Sequence, residues 1–241
     1  MIPAVIHQTA KSTLSWEERR LCQRLRKLLP DWEYRLWDDR GNEQLIATHF
    51  SRYLRSYQKI LKGVIRADIA RYAYLYVYGG FYFDTDYKLV GTIDDNIRQF
   101  QVVVGIEELP RTLLDSTGKE LRLGLKFGNA IMGSFKGYPL WRNFICHIFE
   151  SFPLHSLDED DIVPHTGPRG LSNYYLANRS EYPGVTIFSQ QVFYPDIALN
   201  RLWDRFDSET IGAHLCWGSW RHKNVGLRVR NKVRRKLNAL V

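Results

Sequence analysis

Between positions 66 and 86 the chain reads Arg66-Ala-Asp-Ile-Ala-Arg71, then Tyr72 to Tyr78, then Gly79-Gly-Phe-Tyr-Phe-Asp-Thr-Asp86. Asp84 and Asp86 are of the type that holds a hard cation such as Mg2+ or Mn2+. The cation removes the repulsion of two neighbouring carboxylates and bridges to phosphate oxygens. Two acids two apart are a common accident, and Asp158-Glu-Asp160-Asp161 is a rival cluster. Placement separates them. Residues 84–86 close the apolar run Phe81-Tyr-Phe83, and open α/β sheets gather ligands at the carboxyl ends of their strands. The 158–161 run lies between Pro153 and Pro164 and reads as a solvated loop. Asp68 and Arg71, three apart, project to one side of a helix; spacing alone also fits a surface ion pair worth roughly a few tenths of a kcal/mol.

The elements that must position these residues are legible in outline. Ile65, Ile69, Tyr72 and Tyr76 follow a helical stripe, and Gly79-Gly80 supplies the left-handed stop after it. Phe81-Tyr-Phe83 is too apolar for an edge and is expected to be a central strand. Upstream, Ile2 to Ile6 forms a short apolar strand whose polar exit, His7-Gln8-Thr9, is either an ordinary loop entry or the rim of a ligand crevice. Ser15 caps a helix running to about Leu29, Glu33 to Trp37 alternates as a second strand, and Asp38-Asp39 are turn formers or caps. Residues 43–61 are helical with breaks near Ser51 and Ser56. Downstream, the expectations are a strand over 102–106, a loop or insertion over 110–123, and a short apolar element at 127–133. Helices over 139–152 and 171–177 follow, then late strands at 185–188 and 191–194. His214-Leu-Cys-Trp-Gly-Ser-Trp220 precedes a basic tail, and a lone histidine such as His214 is more often structural than a ligand.

A chain of 241 residues with 44 % hydrophobic and 14 % aromatic content suits one α/β domain with a real core. No apolar run approaches the roughly 18 residues needed to span a bilayer, and no secretory leader pattern is visible, so a cytoplasmic protein is expected. Cys22, Cys146 and Cys216 define by spacing neither a disulfide framework nor a zinc site. The net charge of +8 resides in the tail: residues 221–241 carry eight Lys/Arg and no acid, and the rest of the chain balances 26 bases against 26 acids. That distribution argues against a nucleic-acid-reading surface on the body.

Ala67-Asp-Ile-Ala-Arg71, Leu75 and Gly79-Gly-Phe-Tyr-Phe-Asp-Thr-Asp86 together resemble the sugar-binding segment of family 32 glycosyltransferases, relatives of the clostridial glucosylating toxins. Ile2-Pro-Ala-Val-Ile-His-Gln8, Tyr34-Arg-Leu-Trp37, Thr166-Gly-Pro168 and His214 with Gly218-Ser-Trp220 match further family segments in order, so the resemblance spans residues 1–220. It implies a Rossmann-like GT-A fold, with a mixed, mostly parallel sheet flanked by helices. It also implies metal-dependent transfer of a hexose from a nucleotide diphosphate sugar, with retention. Asp84, Asp86 and His214 would ligate Mn2+ or Mg2+. Asp68 and Arg71 would hold the donor sugar, Arg71 also lying near the diphosphate, and Asp84 would touch ribose or sugar. His7 and Gln8 would border the base, Ser219 and Trp220 would close over the β-phosphate, and Asn129 would sit beside the reacting carbon. The family often has Ser where this chain has Ala67, a difference for helix packing more than for chemistry.

The tail completes the expectation. Val229, Val233, Leu237 and Leu240 form a narrow apolar stripe among basic residues, the composition of a helix drawn to anionic lipid. A peripheral protein at the cytoplasmic face of the inner membrane follows, acting on a glycan or lipid-linked oligosaccharide as in bacterial surface polysaccharide (O-antigen) assembly. UDP-hexose is the favoured donor and GDP-mannose the second. Metal-dependent nucleotidyl or phosphoryl transfer, and a non-enzymatic basic protein binding lipid or nucleic acid, are the competing classes.

Overall fold

The helix Gly63–Val77 is the central packing element of the protein. In the computed structural model, which describes residues 1–10, 13–114, 120–196 and 206–217, its positions 68–75 are all buried. It lies on one face of a six-stranded sheet. The strands among the described residues, in and outside that sheet, are β1 (Val5–Thr9), β2 (Glu33–Trp37), β3 (Gly80–Phe83), β4 (Tyr87–Leu89), β5 (Val102–Glu108), β6 (Arg111–Leu114), β7 (Glu120–Leu123), β8 (Lys126–Ser134), β9 (Val185–Phe188) and β10 (Gly212–His214). The main sheet has the order β2-β1-β3-β8-β5-β9; β4 pairs with β10 and β6 with β7 in two small ribbons. Five strands of the main sheet run one way, and β8 runs against β3 and β5.

Alternation sends side chains to two cores. On one face Tyr82, Val104 and Met132 meet the helices Gly63–Val77, Pro139–Ser151 and Pro168–Ala177. On the other, Phe81, Phe83, Val103 and Ile131 pack with Ile6, Leu25 and Leu89. The turn into β3 depends on two glycines of positive φ, 68° at Gly79 and 92° at Gly80. A Cβ on Gly80 would stand 2.5 Å from the Val5 carbonyl oxygen, so the helix can enter the sheet beside β1 only without one.

Several expectations need correction. The polar triplet His7-Gln8-Thr9 lies inside β1, which begins at Val5. Residues 110–123 include the antiparallel ribbon of β6 and β7. The acids at 158–161 cap a helix: Asp158 and Asp161 form a reciprocal capping box at the start of Glu159–His165. Residues 190–193 form a single helical turn where a strand was expected, because four residues are too few to distinguish the two periods. The reading of Asp38-Asp39 as turn formers or caps holds: Asp38 caps the helix Asp39–His49, accepting from the Gly41 amide. Ser219, Trp220 and the tail 221–241 lie outside the described residues.

Candidate active site

The carboxyl ends of β3 and β10 meet at one point. Asp84 and Asp86 follow β3 directly, and β10 pairs with β4 so that His214 lies opposite Tyr87. His214 Nε2 is 3.2 Å from Asp86 Oδ1 and 3.7 Å from Asp84 Oδ2. The segment after β10 is tied to Asp86 twice: the Leu215 amide donates to its carbonyl oxygen (3.1 Å) and the Trp217 amide to its Oδ2 (2.9 Å). Burial pushes the Asp86 carboxyl up, but the His214 ring and the Trp217 amide outweigh it and hold the group below the usual carboxylate range. Burial pulls His214 down, and Asp86 reverses this and raises it well above an ordinary imidazole. Thr85, between the two acids, donates to Glu18 Oε1, so the capping box of Ser15 and Glu18 also anchors this turn.

Behind the acids sits a buried charge network. Arg71 NH1 is 3.1 Å from Asp84 Oδ1 and donates to the Asn129 carbonyl (2.8 Å); its NH2 is 3.2 Å from Asp68 Oδ1. Its guanidinium also lies over the Tyr82 ring, and the Tyr82 hydroxyl donates to Asp84 Oδ1 (2.6 Å). Asp68 accepts from Asn129 Nδ2 (3.1 Å) and from the Thr166 hydroxyl (2.9 Å). With Asp68 3 % and Arg71 5 % exposed, this is no surface ion pair; the Asp68–Arg71 link is desolvated, so losing one of the two strands a charge, while Asp84 at the outer end is partly exposed. Arg71 as placed spends its donors on protein groups and orders Asp84 against Asp68.

Asn129 reaches this network through an irregularity in β8. The β5–β8 register passes from Val104↔Met132 to Gly105↔Gly128, leaving residues 129–131 without partners on β5. Their backbone groups turn to the site instead. Asp84 N donates to the Ala130 carbonyl, and the Tyr194 hydroxyl accepts from the amides of Ala130 (3.1 Å) and Ile131 (3.0 Å). A bulge beside a site is a usual means of re-aiming a side chain, here that of Asn129.

His7 and Gln8 belong to the scaffold. The Trp37 indole can only donate and the Gly79 carbonyl can only accept, so His7 Nδ1 accepts from Trp37 and Nε2–H donates to Gly79. Both nitrogens are used and the ring is fully buried, stacked on Tyr74 and Tyr78. Gln8 bonds the Asp84 carbonyl with its amide and receives the Tyr34 hydroxyl, which fixes the start of the acidic turn. Sequence reasoning missed Tyr82, Tyr194, Glu18 and Thr85. Tyr82 alone carried a signal, as the inward aromatic two residues before Asp84.

The donor set suits a divalent cation. Asp84, Asp86 and His214 each offer one ligand atom, all within 4.8 Å of one another, a mixed oxygen and nitrogen set that Mn2+ or Mg2+ can accept. A metal-ready acidic pair at a strand end, on a mixed and mostly parallel sheet, is the design of GT-A glycosyltransferases. Residues 15–103 match the family described as "Glycosyltransferase sugar-binding region containing DXD motif", so this part of the chain is a family-32-type sugar-binding region and Asp84-Thr85-Asp86 is its acidic motif.

Among curated proteins the chain is similar to two from Schizosaccharomyces pombe. It is 39 % identical to Inositol phosphoceramide mannosyltransferase 3 over 183 residues, 74 % of this chain and 46 % of that one. It is 26 % identical to Inositol phosphoceramide mannosyltransferase 2 over 230 residues, 94 % of this chain and 60 % of the other. The chain thus spans less than two thirds of these relatives. Among solved structures it resembles PaToxG Glycosyltransferase, with a TM-score of 0.53 at 16 % identity over 76 % of this chain and 71 % of that one, a likeness of fold.

Proposed function

We propose that this chain transfers a hexose from a nucleotide diphosphate sugar to a lipid-carried acceptor, with retention at the anomeric carbon and with Mn2+ or Mg2+ as cofactor. The observation that carries the reading is the convergence of Asp84, Asp86 and His214 in front of the buried Asp68–Arg71 pair. The names of the relatives favour a mannosyl group, which moves GDP-mannose ahead of the UDP-hexose that sequence reasoning put first. The same names specify a phosphoceramide, in keeping with an acceptor carried on lipid.

Cleavage of the sugar–phosphate bond builds negative charge on the departing diphosphate, and a bound divalent ion supplies the Lewis acid that neutralises it. The chain's own residues hold that arrangement in place. Tyr82 and Arg71 fix Asp84 Oδ1, leaving Oδ2 directed toward His214, and the Leu215 and Trp217 amides fix Asp86. Asn129 and Thr166 orient Asp68, which is buried, so a sugar hydroxyl reaching it would compete with few waters. The carboxylate deepest in the network, Asp68, is engaged on both oxygens, which disfavours it as a nucleophile. A front-face transfer follows, in which the leaving phosphate takes the acceptor proton.

The test is slow donor hydrolysis and thermal stabilisation with GDP-mannose and UDP-hexoses, with and without Mn2+. GDP-mannose is expected to bind and hydrolyse only with metal, and Asp86→Asn to abolish both effects. Donor binding that ignores metal and survives Asp86→Asn would overturn the mechanism. The basic tail is proposed to hold the protein peripherally at a cytoplasmic membrane face. The full chain should partition onto anionic vesicles and a version ending at Lys223 should not; equal partitioning removes that role.

A further inference from the structure

His214 has a second nitrogen, and it faces a different set of ligands. Cys216 Sγ lies 3.3 Å from His214 Nδ1, on the other side of the ring from the Asp84–Asp86 acids. Glu107, at the end of β5, brings a carboxylate oxygen into the same group: Glu107, His214 and Cys216 offer ligand atoms all within 4.8 Å of one another. Two further features hold the trio. Lys126 lies 3.3 Å from Glu107 Oε2, and Gln190 donates to the Glu107 backbone carbonyl, so an ion pair holds the carboxylate and a hydrogen bond holds the main chain behind it. Cys216 is held at a φ of 50°, alone among the described non-glycine residues in the left-handed region. The amides on either side of it, Leu215 and Trp217, both bond Asp86, which forces the residue between them to reverse and leaves its side chain exposed to solvent.

The chemistry of this trio differs from that of the acidic motif. One thiol, one imidazole nitrogen and one carboxylate are a donor set for a borderline or soft ion. They resemble in number the three-ligand zinc sites that leave one position open, whereas Mg2+ and Mn2+ prefer oxygen. We infer that Glu107, His214 and Cys216 form a second metal site, for a thiophilic divalent ion such as Zn2+ or Cd2+, distinct from the Asp84–Asp86 centre and joined to it by the shared His214 ring. Binding displaces two protons to solvent, one from the Cys216 thiol and one from His214 Nδ1, and forms the metal–sulfur and metal–nitrogen bonds; Nε2–H stays on Asp86, and no oxidation state changes. The site goes beyond the glycosyl-transfer reading and does not depend on it.

Cadmium is the probe, because a cadmium–thiolate bond has its own ultraviolet charge-transfer band, which reports binding without any assay of transfer. The full-length protein, reduced and metal-free, is titrated with Cd2+, and folding of each variant is checked by circular dichroism. Wild type should develop the band to saturation at a single ion per chain. Cys216→Ser should abolish it, and Glu107→Gln should weaken binding by roughly tenfold or more. Asp84→Asn, which removes a ligand of the acidic centre and touches neither Glu107 nor Cys216, should leave it in place. Zn2+ should displace the bound Cd2+, and excess Mg2+ should not. The proposal is overturned if wild type shows no band, if the band survives Cys216→Ser and so arises at Cys22 or Cys146, or if Glu107→Gln binds as tightly as wild type. Loss of the band in a folded Asp84→Asn protein would also overturn it, by merging the two sites into one.

Discussion

Two buried groups titrate in opposite directions, and their balance is measurable. Burial pushes the Asp68 carboxyl up to about 6, against the pull of Arg71 and of the Thr166 and Asn129 hydrogen bonds. Burial pulls His7 down to about 4, against the Gly79 hydrogen bond. In the window between about pH 4 and 6 the folded chain holds a proton on Asp68 that the unfolded chain has lost, so this group's contribution falls as pH rises. His7 is the reverse: the unfolded chain holds a proton that the folded chain rejects, so its contribution rises from about pH 4 to 6.5. The two slopes oppose, and wild-type stability should vary little across the window on their account. Asp68→Asn leaves His7 unopposed. Urea midpoints of that variant should climb with pH by the equivalent of about 3 kcal/mol between pH 4 and 6.5, and parallel curves for variant and wild type would refute the raised Asp68 value.

Among the elements, β8 shows what the sequence revealed and what it hid. Phe127 to Gly133 read as a short apolar piece between glycines, yet it is a nine-residue strand buried from end to end. Its bulge is stabilised by a residue 63 positions away, Tyr194, whose hydroxyl takes two amides at once. Tyr194→Phe should leave both amides buried and unpaired, costing on the order of 2 kcal/mol in urea unfolding, and should lower donor hydrolysis by letting Asn129 drift. Gly80→Ala should cost on the order of 3 kcal/mol, from the left-handed backbone and the Val5 carbonyl together, in the same measurement. The helix 63–77, its glycine stop and β3 were legible because an apolar period, a stop and a run of aromatics each carry a local signal. β4 and β10 were not, since three-residue strands have no period to read and exist here because they pair with each other. The polar residues of β1 looked like a strand exit because nothing local tells that Trp37 and Gly79 satisfy the His7 ring. Likewise Asp68 and Arg71 were found by spacing, but their burial was not, because it depends on β8 and on Thr166 closing over them.

For the molecule as a whole, a bound ion is a tie between distant parts of one chain. Mn2+ that binds only the folded protein should raise its stability by RT ln(1 + [Mn2+]/Kd), about 2.7 kcal/mol at a hundredfold excess over Kd. Calorimetric melting with and without Mn2+ should show this shift in wild type and not in His214→Ala. The clasp of Asp86 by Trp217 closes a loop of 131 residues. During synthesis, then, the entire sugar-binding region 15–103 emerges from the ribosome long before the third ligand exists, and no nascent chain shorter than about two hundred residues can hold the ion as the finished one does. Under the proposed function, metal capture would therefore be a checkpoint on completion. A chain that stalls, or is clipped between the two halves of the clasp, keeps its acidic motif yet lacks the third candidate ligand, and under the proposed function it should bind cation and sugar donor more weakly than the intact chain.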